Sequence, residues 1–353
     1  MRIRVGVMGA SGYMGGEVIR ILLMHPLVKI VWATSRQGGD IAIHHPNLYG
    51  SDITLIHPDN ISAVDVVFMA LPTEASIEET AKLLATGCKV IDLGAAFRLQ
   101  NRTDWEQVYQ QTHGNWSLVE QAVYGINELH QQAITSAQLV ANPGCFASAA
   151  ILALTPLIEA GLIDCRNISI TGISGTAGAG AELSRAAHHP EIGNNLIAYN
   201  VVNHRHSYEM EQELSAISST GKVRVQFTPV YAPITRGILN VCHTLATADI
   251  DRNRLLELYR DYYRMHPFTR IYDMPAVDGV SWNYRPYPWV SAVAGSNYCH
   301  LGLDIDAARN SIVILAALDS IGKGGAQVAI ENMNLMMGLP RECGLQAYGR
   351  HPA

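Results

Sequence analysis

The segment Ala141-Asn142-Pro143-Gly144-Cys145-Phe146 holds the cysteine whose setting best suits chemistry. Residues 138–141 read as a short buried strand, Pro143 and Gly144 as a sharp turn, and Cys145 as the start of an apolar helix continuing over 147–160. A helix start eases a thiol toward its thiolate, and its unpaired amides can hold an oxyanion formed when sulfur attacks a carbonyl. Cys88, Cys165, Cys242, Cys299 and Cys343 lack that setting and read as packing residues. A thiol nucleophile needs a proton-transfer partner, and His204-Arg205-His206 is the leading candidate. As an extended segment its alternation puts both imidazoles on one face and Arg205 on the other, where it could hold an anionic substrate group. His44-His45 and His188-His189-Pro190-Glu191 compete for the role. Neither pair has the spacing or the neighbouring ligands of a metal site, so no metal is expected.

A second motif, Gly9-Ala10-Ser11-Gly12-Tyr13-Met14-Gly15, follows an apolar strand over 2–8 and opens a helix. The G-x-x-G-x-x-G spacing is a dinucleotide fingerprint, in which glycines allow a tight turn and the helix start offers amides to a pyrophosphate. Gly9, Ser11, Gly12, Tyr13, Met14 and Gly15 are therefore candidate cofactor residues. At the end of the second strand, where an NAD site usually carries an acid, stands Thr34-Ser35-Arg36. The Ser35 hydroxyl and the Arg36 fork suit a 2′-phosphate, which points to NADP. Together, thiol and nicotinamide imply one reaction type. The thiolate displaces the leaving group of an activated carboxyl, hydride reduces the thioester, and an aldehyde departs. A reading from another class, a nicotinamide-sensing protein without catalysis, sits poorly with an intact Cys145 and His204.

The elements that position these residues alternate over the first 140 positions. Strands are expected over 2–8, 28–34, 64–70, 89–93 and 138–141, with helices over 15–25 and 76–86, the pattern of a parallel sheet covered on both faces. After Cys145 longer strands over 166–173, 223–229, 237–245, 290–304 and 311–318 suggest a mixed sheet, and 324–337 is helical again. Three parts are expected: 1–144 for the dinucleotide, 145–319 for catalysis and dimerisation, and a 320–353 helix returning to the first. A net charge of −6 without a basic block argues against nucleic acid as a partner. No apolar run approaches membrane length, and scattered cysteines behind a start that runs directly into a strand suggest a cytoplasmic protein.

Seven segments in order carry a family likeness: GASGYMGGE at 9–17, IDLGAAFRL at 91–99, AVYGINEL at 122–129, ANPGC at 141–145, HRH at 204–206, TRGIL at 235–239 and DSIGKGGAQVA at 319–329. In these the chain resembles the N-acetyl-gamma-glutamyl-phosphate reductase family. The resemblance implies an α/β chain: a Rossmann-type dinucleotide-binding domain plus an α+β mixed-sheet domain like that of aspartate semialdehyde dehydrogenase, assembled as a homodimer or homotetramer. It implies that Cys145 forms the thioester, that His204 is the first choice as acid/base and His206 the second, and that Arg98, Asn142, His189, Arg205, His206 and Arg236 contact the acyl phosphate. Aspartate semialdehyde formation would use the same fold, but the HRH segment argues against it. Departures from the family pattern bear on the substrate: ANPGCFAS at 141–148, Thr73-Glu74 after Leu71-Pro72, Gly94-Ala95-Ala96 before Phe97-Arg98, Ala181-Glu182 after Gly180, and no proline after HRH. Of these, the GAGAE loop at 178–182 and the missing proline, with HHPE at 188–191 and HHPNLYG at 44–50, resemble the branch whose glutamyl or aminoadipyl phosphate is masked by a small acidic amino-group carrier protein, while Phe146-Ala147-Ser148 fits neither branch. That branch is the expectation, with the acetylated substrate of arginine biosynthesis as the alternative.

Overall fold

A computed structural model of the chain describes residues 2–274 and 287–352. It divides into two compact units, Met1–Pro143 with Gly325–Gln346, and Gly144–Gly324 with Ala347–Ala353. The last seven residues thus group with the second unit, where the sequence suggested that the whole 320–353 segment returns to the first.

The first unit runs β1 (Ile3–Met8), α1 (Tyr13–Leu22), β2 (Val28–Thr34), β3 (Gly39–Asp40), β4 (Thr54–Ile56), β5 (Val66–Met69), α2 (Thr73–Ala85) and β6 (Lys89–Asp92). It continues through α3 (Arg102–Tyr109), α4 (Trp116–Gln121), β7 (Val123–Tyr124), α5 (Asn127–Ser136) and β8 (Leu139–Ala141). The sheet order is β3-β4-β2-β1-β5-β6-β8-β7, parallel except for β3 against β4. Its central strands are apolar because both faces are covered: all four residues of β5 are buried. The β1/β5 boundary, where chain order reverses direction across the sheet, is where such folds open a crevice at the carboxyl ends of the strands.

The second unit contains α6 (Cys145–Glu159), β9 (Ile168–Ser174), α7 (His189–Ile192), β10 (Ile197–Ala198), α8 (Arg205–Ile217), β11 (Val225–Tyr231) and β12 (Ile238–Leu245). There follow α9 (Arg252–Tyr263), β13 (Thr269–Ile271), β14 (Cys299–Asp306) and β15 (Ser311–Leu318), before α10 (Gln327–Met336) rejoins the first unit. Its mixed sheet has the order β10-β11-β9-β12-β15-β14-β13. The expected strand over 290–304 is shorter: a 3₁₀ turn occupies Val290–Ala292 and pairing begins only at Cys299. A π-helical turn, Gly322–Ala326, precedes α10.

Helix α6 is buried from Phe146 to Ile158, as its continuous Ala/Leu/Ile composition requires. Pro156 has no N–H for the Leu152 carbonyl one turn back, a loss that would leave a buried acceptor unpaired. The Tyr263 hydroxyl of α9 donates to that carbonyl at 2.6 Å, and Tyr259 donates to Ala153 beside it. On β9, Ile168 and Ile170 are buried while Ser169 and Thr171 are exposed, the alternation of a strand with one covered face. A Cβ on Gly172 would lie 2.7 Å from the Phe146 ring and 2.8 Å from Phe227, so glycine there lets α6 and the sheet meet.

Candidate active site

In the first unit the β1–α1 turn has the shape a dinucleotide phosphate needs. Gly9 has φ +75°, and a Cβ there would lie 2.2 Å from the Ala70 carbonyl oxygen. A Cβ on Gly15 would lie 2.4 Å from the Gly9 oxygen, closing the helix onto the loop. Gly12 differs: a side chain there would meet nothing closer than 3.6 Å, so its bareness leaves the outer side of the turn open to a ligand. Helix α1 has no side-chain cap and no acid in its first turn, which leaves its start receptive to an anion. Ser35 is buried and its hydroxyl accepts from the Gly38 amide at 2.9 Å, while Arg36 is exposed beside it. These residues fit a dinucleotide: the turn and α1 for its pyrophosphate, Ser35 and Arg36 for a 2′-phosphate.

Two candidate substrate residues meet in the same unit. Arg98 is buried, donating from Nε to the Asn142 carbonyl at 2.8 Å and from Nη2 to the Leu93 carbonyl at 3.1 Å. Asn142 donates from Nδ2 to the Gly325 carbonyl at 3.0 Å, and Asn332 of α10 donates to Asn142 Oδ1 at 3.2 Å. The Arg98 loop starts at Asp92, whose carboxylate accepts from Ser76 at 2.6 Å; full burial pushes that carboxyl up, against the lowering effects of Ser76 and Arg98.

In the second unit Cys145 is the first residue of α6 and partly accessible. Gly144 is the cap, with neither a side-chain cap bond nor an acid in the first turn. The Gly144 amide donates instead to a distant carboxylate, Glu209 Oε2, at 2.9 Å. His206 packs on the same glycine: a Cβ on Gly144 would lie 2.5 Å from His206 Nε2 and 2.8 Å from Glu209 Oε1. His206 Nε2 stands 3.8 Å from Glu209 Oε1, and both side chains are buried. A Cβ on Gly324 of the π-helical turn would lie 2.7 Å from the Cys145 Cβ. π-helical turns recur at functional sites, where they re-aim the backbone.

The HRH segment is not extended. His204 caps α8, its Nδ1 accepting from the His206 amide at 3.2 Å, and the helix begins at Arg205. The two imidazoles stay together, with ring centroids 4.8 Å apart, because i and i+2 straddle a helix start rather than alternate on a strand. Arg205 is exposed. Burial, and secondarily the Arg205 charge, lower the His204 pKa to about 4, so this ring is neutral near pH 7. The signal for a helix was present: His206, Glu209, Met210, Glu213 and Leu214 are its buried residues, spaced i, i+3, i+4, i+7, i+8. Three of those five are titratable, which hid the stripe and, with it, Glu209.

Tyr199 is a second residue that motif reading passes over. Its ring stacks on Tyr231 at 4.2 Å and meets His204 edge-on at 5.8 Å; burial, then Tyr231 and Cys145, push its hydroxyl up. The other candidates lie in varied settings. Arg236 Nε pairs with the buried carboxylate of Asp319 at 2.9 Å, while His189 is exposed at the start of α7. Among the described residues no group of three or more His, Cys, Asp or Glu could hold a metal ion, and no helix is long and apolar enough to cross a membrane.

Residues 4–137 match the semialdehyde dehydrogenase NAD-binding domain, and 145–320 the semialdehyde dehydrogenase dimerisation domain. The fold resembles aspartate semialdehyde dehydrogenase II from Vibrio cholerae, with a TM-score of 0.69 and 18% identity over 96% of this chain and 99% of that one. An aspartate semialdehyde dehydrogenase from Candida albicans, solved with NADP, gives a TM-score of 0.61 at 14% identity, covering 96% of this chain and 99% of that one. Sequence relatives are closer. The N-acetyl-gamma-glutamyl-phosphate reductase of Pelotomaculum thermopropionicum is 38% identical over the full length of both chains. That of Methanopyrus kandleri is 40% identical over 99% of each. With two domain matches, one fold and full-length identity in agreement, the chain belongs to the N-acetyl-gamma-glutamyl-phosphate reductase family.

Proposed function

We propose that the chain reduces N-acetyl-γ-glutamyl phosphate to its semialdehyde with NADPH, through a thioester on Cys145. The observation that carries the reading is Cys145 at the uncapped start of α6, with the His206–Glu209 pair packed on the preceding glycine. The Cys145 thiolate attacks the acyl carbon and inorganic phosphate leaves with the bonding pair. NADPH, which the Gly9–Gly15 turn with Ser35 and Arg36 would hold, would supply the hydride that reduces the thioester carbon. The thiohemiacetal then collapses, sulfur departs as thiolate, and the aldehyde is released. His206 takes the thiol proton and serves the oxyanion as it forms and collapses. His204 is the weaker candidate for that role: its Nδ1 is engaged as the helix cap and burial keeps its ring neutral. Arg98 and Arg236 are the cations for phosphate and carboxylate, and the assembly is a homodimer or homotetramer in the cytoplasm.

The relatives carry the name of the acetylated substrate rather than of the carrier-masked branch. One observation keeps the carrier reading in play. After Gly180 the loop presents exposed Ala181, Glu182 and Leu183, with no cation directly following the glycines. A kcat/KM comparison decides between them. N-acetyl-γ-glutamyl phosphate is expected to be used at least as well as carrier-linked acyl phosphate, with little response to salt. A preference of roughly tenfold or more for the carrier-linked substrate, falling with added salt, would establish the carrier branch.

A further inference from the structure

The motif His44-His45 is not absorbed by the reaction, yet His45 is buried against the cofactor turn. Its Nε2 lies 2.8 Å from the Ala10 carbonyl oxygen. A carbonyl only accepts, so Nε2 carries the proton. Burial lowers the pKa of this imidazole, with Ala10 opposing the shift, and the backbone around it is fixed: the His45 amide donates to Ile41 and the Leu48 amide donates to the His45 carbonyl, both at 2.9 Å. A Cβ on Gly16 would lie 2.3 Å from the ring, so the glycine after the G-x-x-G-x-x-G motif serves the histidine, not the ligand. Nearby Glu17 is paired with Arg20 at 2.8 Å.

Ala10 is held at both ends, because its amide also donates to the Thr34 carbonyl at 2.9 Å. In a planar trans peptide the carbonyl of one residue and the N–H of the next point in opposite directions. Holding the Ala10 carbonyl on His45 therefore aims the Ser11 amide away from His45. We infer that His45 is a positioning residue for dinucleotide binding, fixing the Ala10–Ser11 peptide so that the Ser11 amide is presented to phosphate. This rests on the cofactor reading above.

His45→Gln keeps a donor at similar reach, whereas His45→Met has the same length and none. Fluorescence titration of the apo-protein should show His45→Met raising the Kd for NADPH and for NADH by one common factor, roughly 5- to 50-fold. The shared factor follows because the pyrophosphate is common to both cofactors. KM for NADPH should rise with kcat at saturation held, and His45→Gln should bind within about threefold of wild type. Wild-type affinity in His45→Met, or no recovery in His45→Gln, overturns the inference. If His45→Met does not fold, the Gln limit alone decides. A wild-type chain that binds neither dinucleotide overturns the cofactor reading and the inference together.

Discussion

The β1–α1 turn and the turn from β8 into α6 are both strand-to-helix junctions with a glycine cap, no side-chain cap bond and no acid in the first turn. They are stabilised differently. The first is closed by its own glycines: Gly9 fits against Ala70, and Gly15 against Gly9. At the second, the Gly144 amide is taken by Glu209, sixty-five positions downstream, and Gly324 approaches the Cys145 Cβ. A binding turn needs bare amides on a fixed backbone, and the long-range side chain built against it, His45, holds a carbonyl. A nucleophile's helix start must also manage charge, so a carboxylate is built against it.

The comparison predicts that substitutions at the nucleophile's junction damage chemistry more than those at the cofactor's. Cys145→Ser should abolish acyl-phosphate reduction while leaving NADPH titration unchanged, because serine is a far poorer nucleophile at neutral pH. Near-normal turnover would end the thioester mechanism. His206→Asn should lower kcat by about 10²- to 10⁴-fold. His204→Ala should instead act chiefly on folding, losing about 1 kcal/mol as a helix cap is removed. Steady-state kinetics and denaturant melts on the same pair would exchange the two roles if the pattern reversed.

Stability against pH probes the second unit. His204 has a folded pKa of about 4, below its unfolded value, so the unfolded chain binds more protons between those limits. The stabilisation is fully present above roughly pH 6.5 and is lost as pH falls toward 4, up to about 3 kcal/mol from this group. His300, also lowered to about 4 by burial and Arg270, adds in the same direction. A His204→Asn chain should melt with a weaker acid dependence; an unchanged slope would contradict the assignment. The smallest effect on the chemical step is expected at the exposed edge of the cofactor site, where a change acts on binding alone. Arg36→Ala should raise KM for NADPH by roughly 5- to 150-fold and barely alter NADH. Equal weakening of both would remove Arg36 from 2′-phosphate recognition.

The same contrast explains what could be read from sequence. The glycine turn and the parallel strands around it are local: spacing and apolar runs suffice, and β2 falls at 28–34 as expected. The short pairs β3, β4 and β7 were hidden, since two or three residues carry no periodicity. The 204–206 segment reads as extended because alternating His looks like a strand, whereas its helical continuation buries Glu209 and Glu213. No spacing rule could link Gly144 to Glu209 or Cys145 to Gly324. Those contacts exist only once α6, α8 and the π-helical turn are packed.

The central claim is that Cys145 carries the acyl group. Mixing the protein with N-acetyl-γ-glutamyl phosphate without NADPH, quenching rapidly and mapping peptides by mass spectrometry tests it directly. The account predicts one acyl group per chain on the peptide containing Cys145, matched by an equal burst of inorganic phosphate and discharged as aldehyde when NADPH is added. Full turnover with no covalent adduct, or an adduct on Cys343 in place of Cys145, would contradict it.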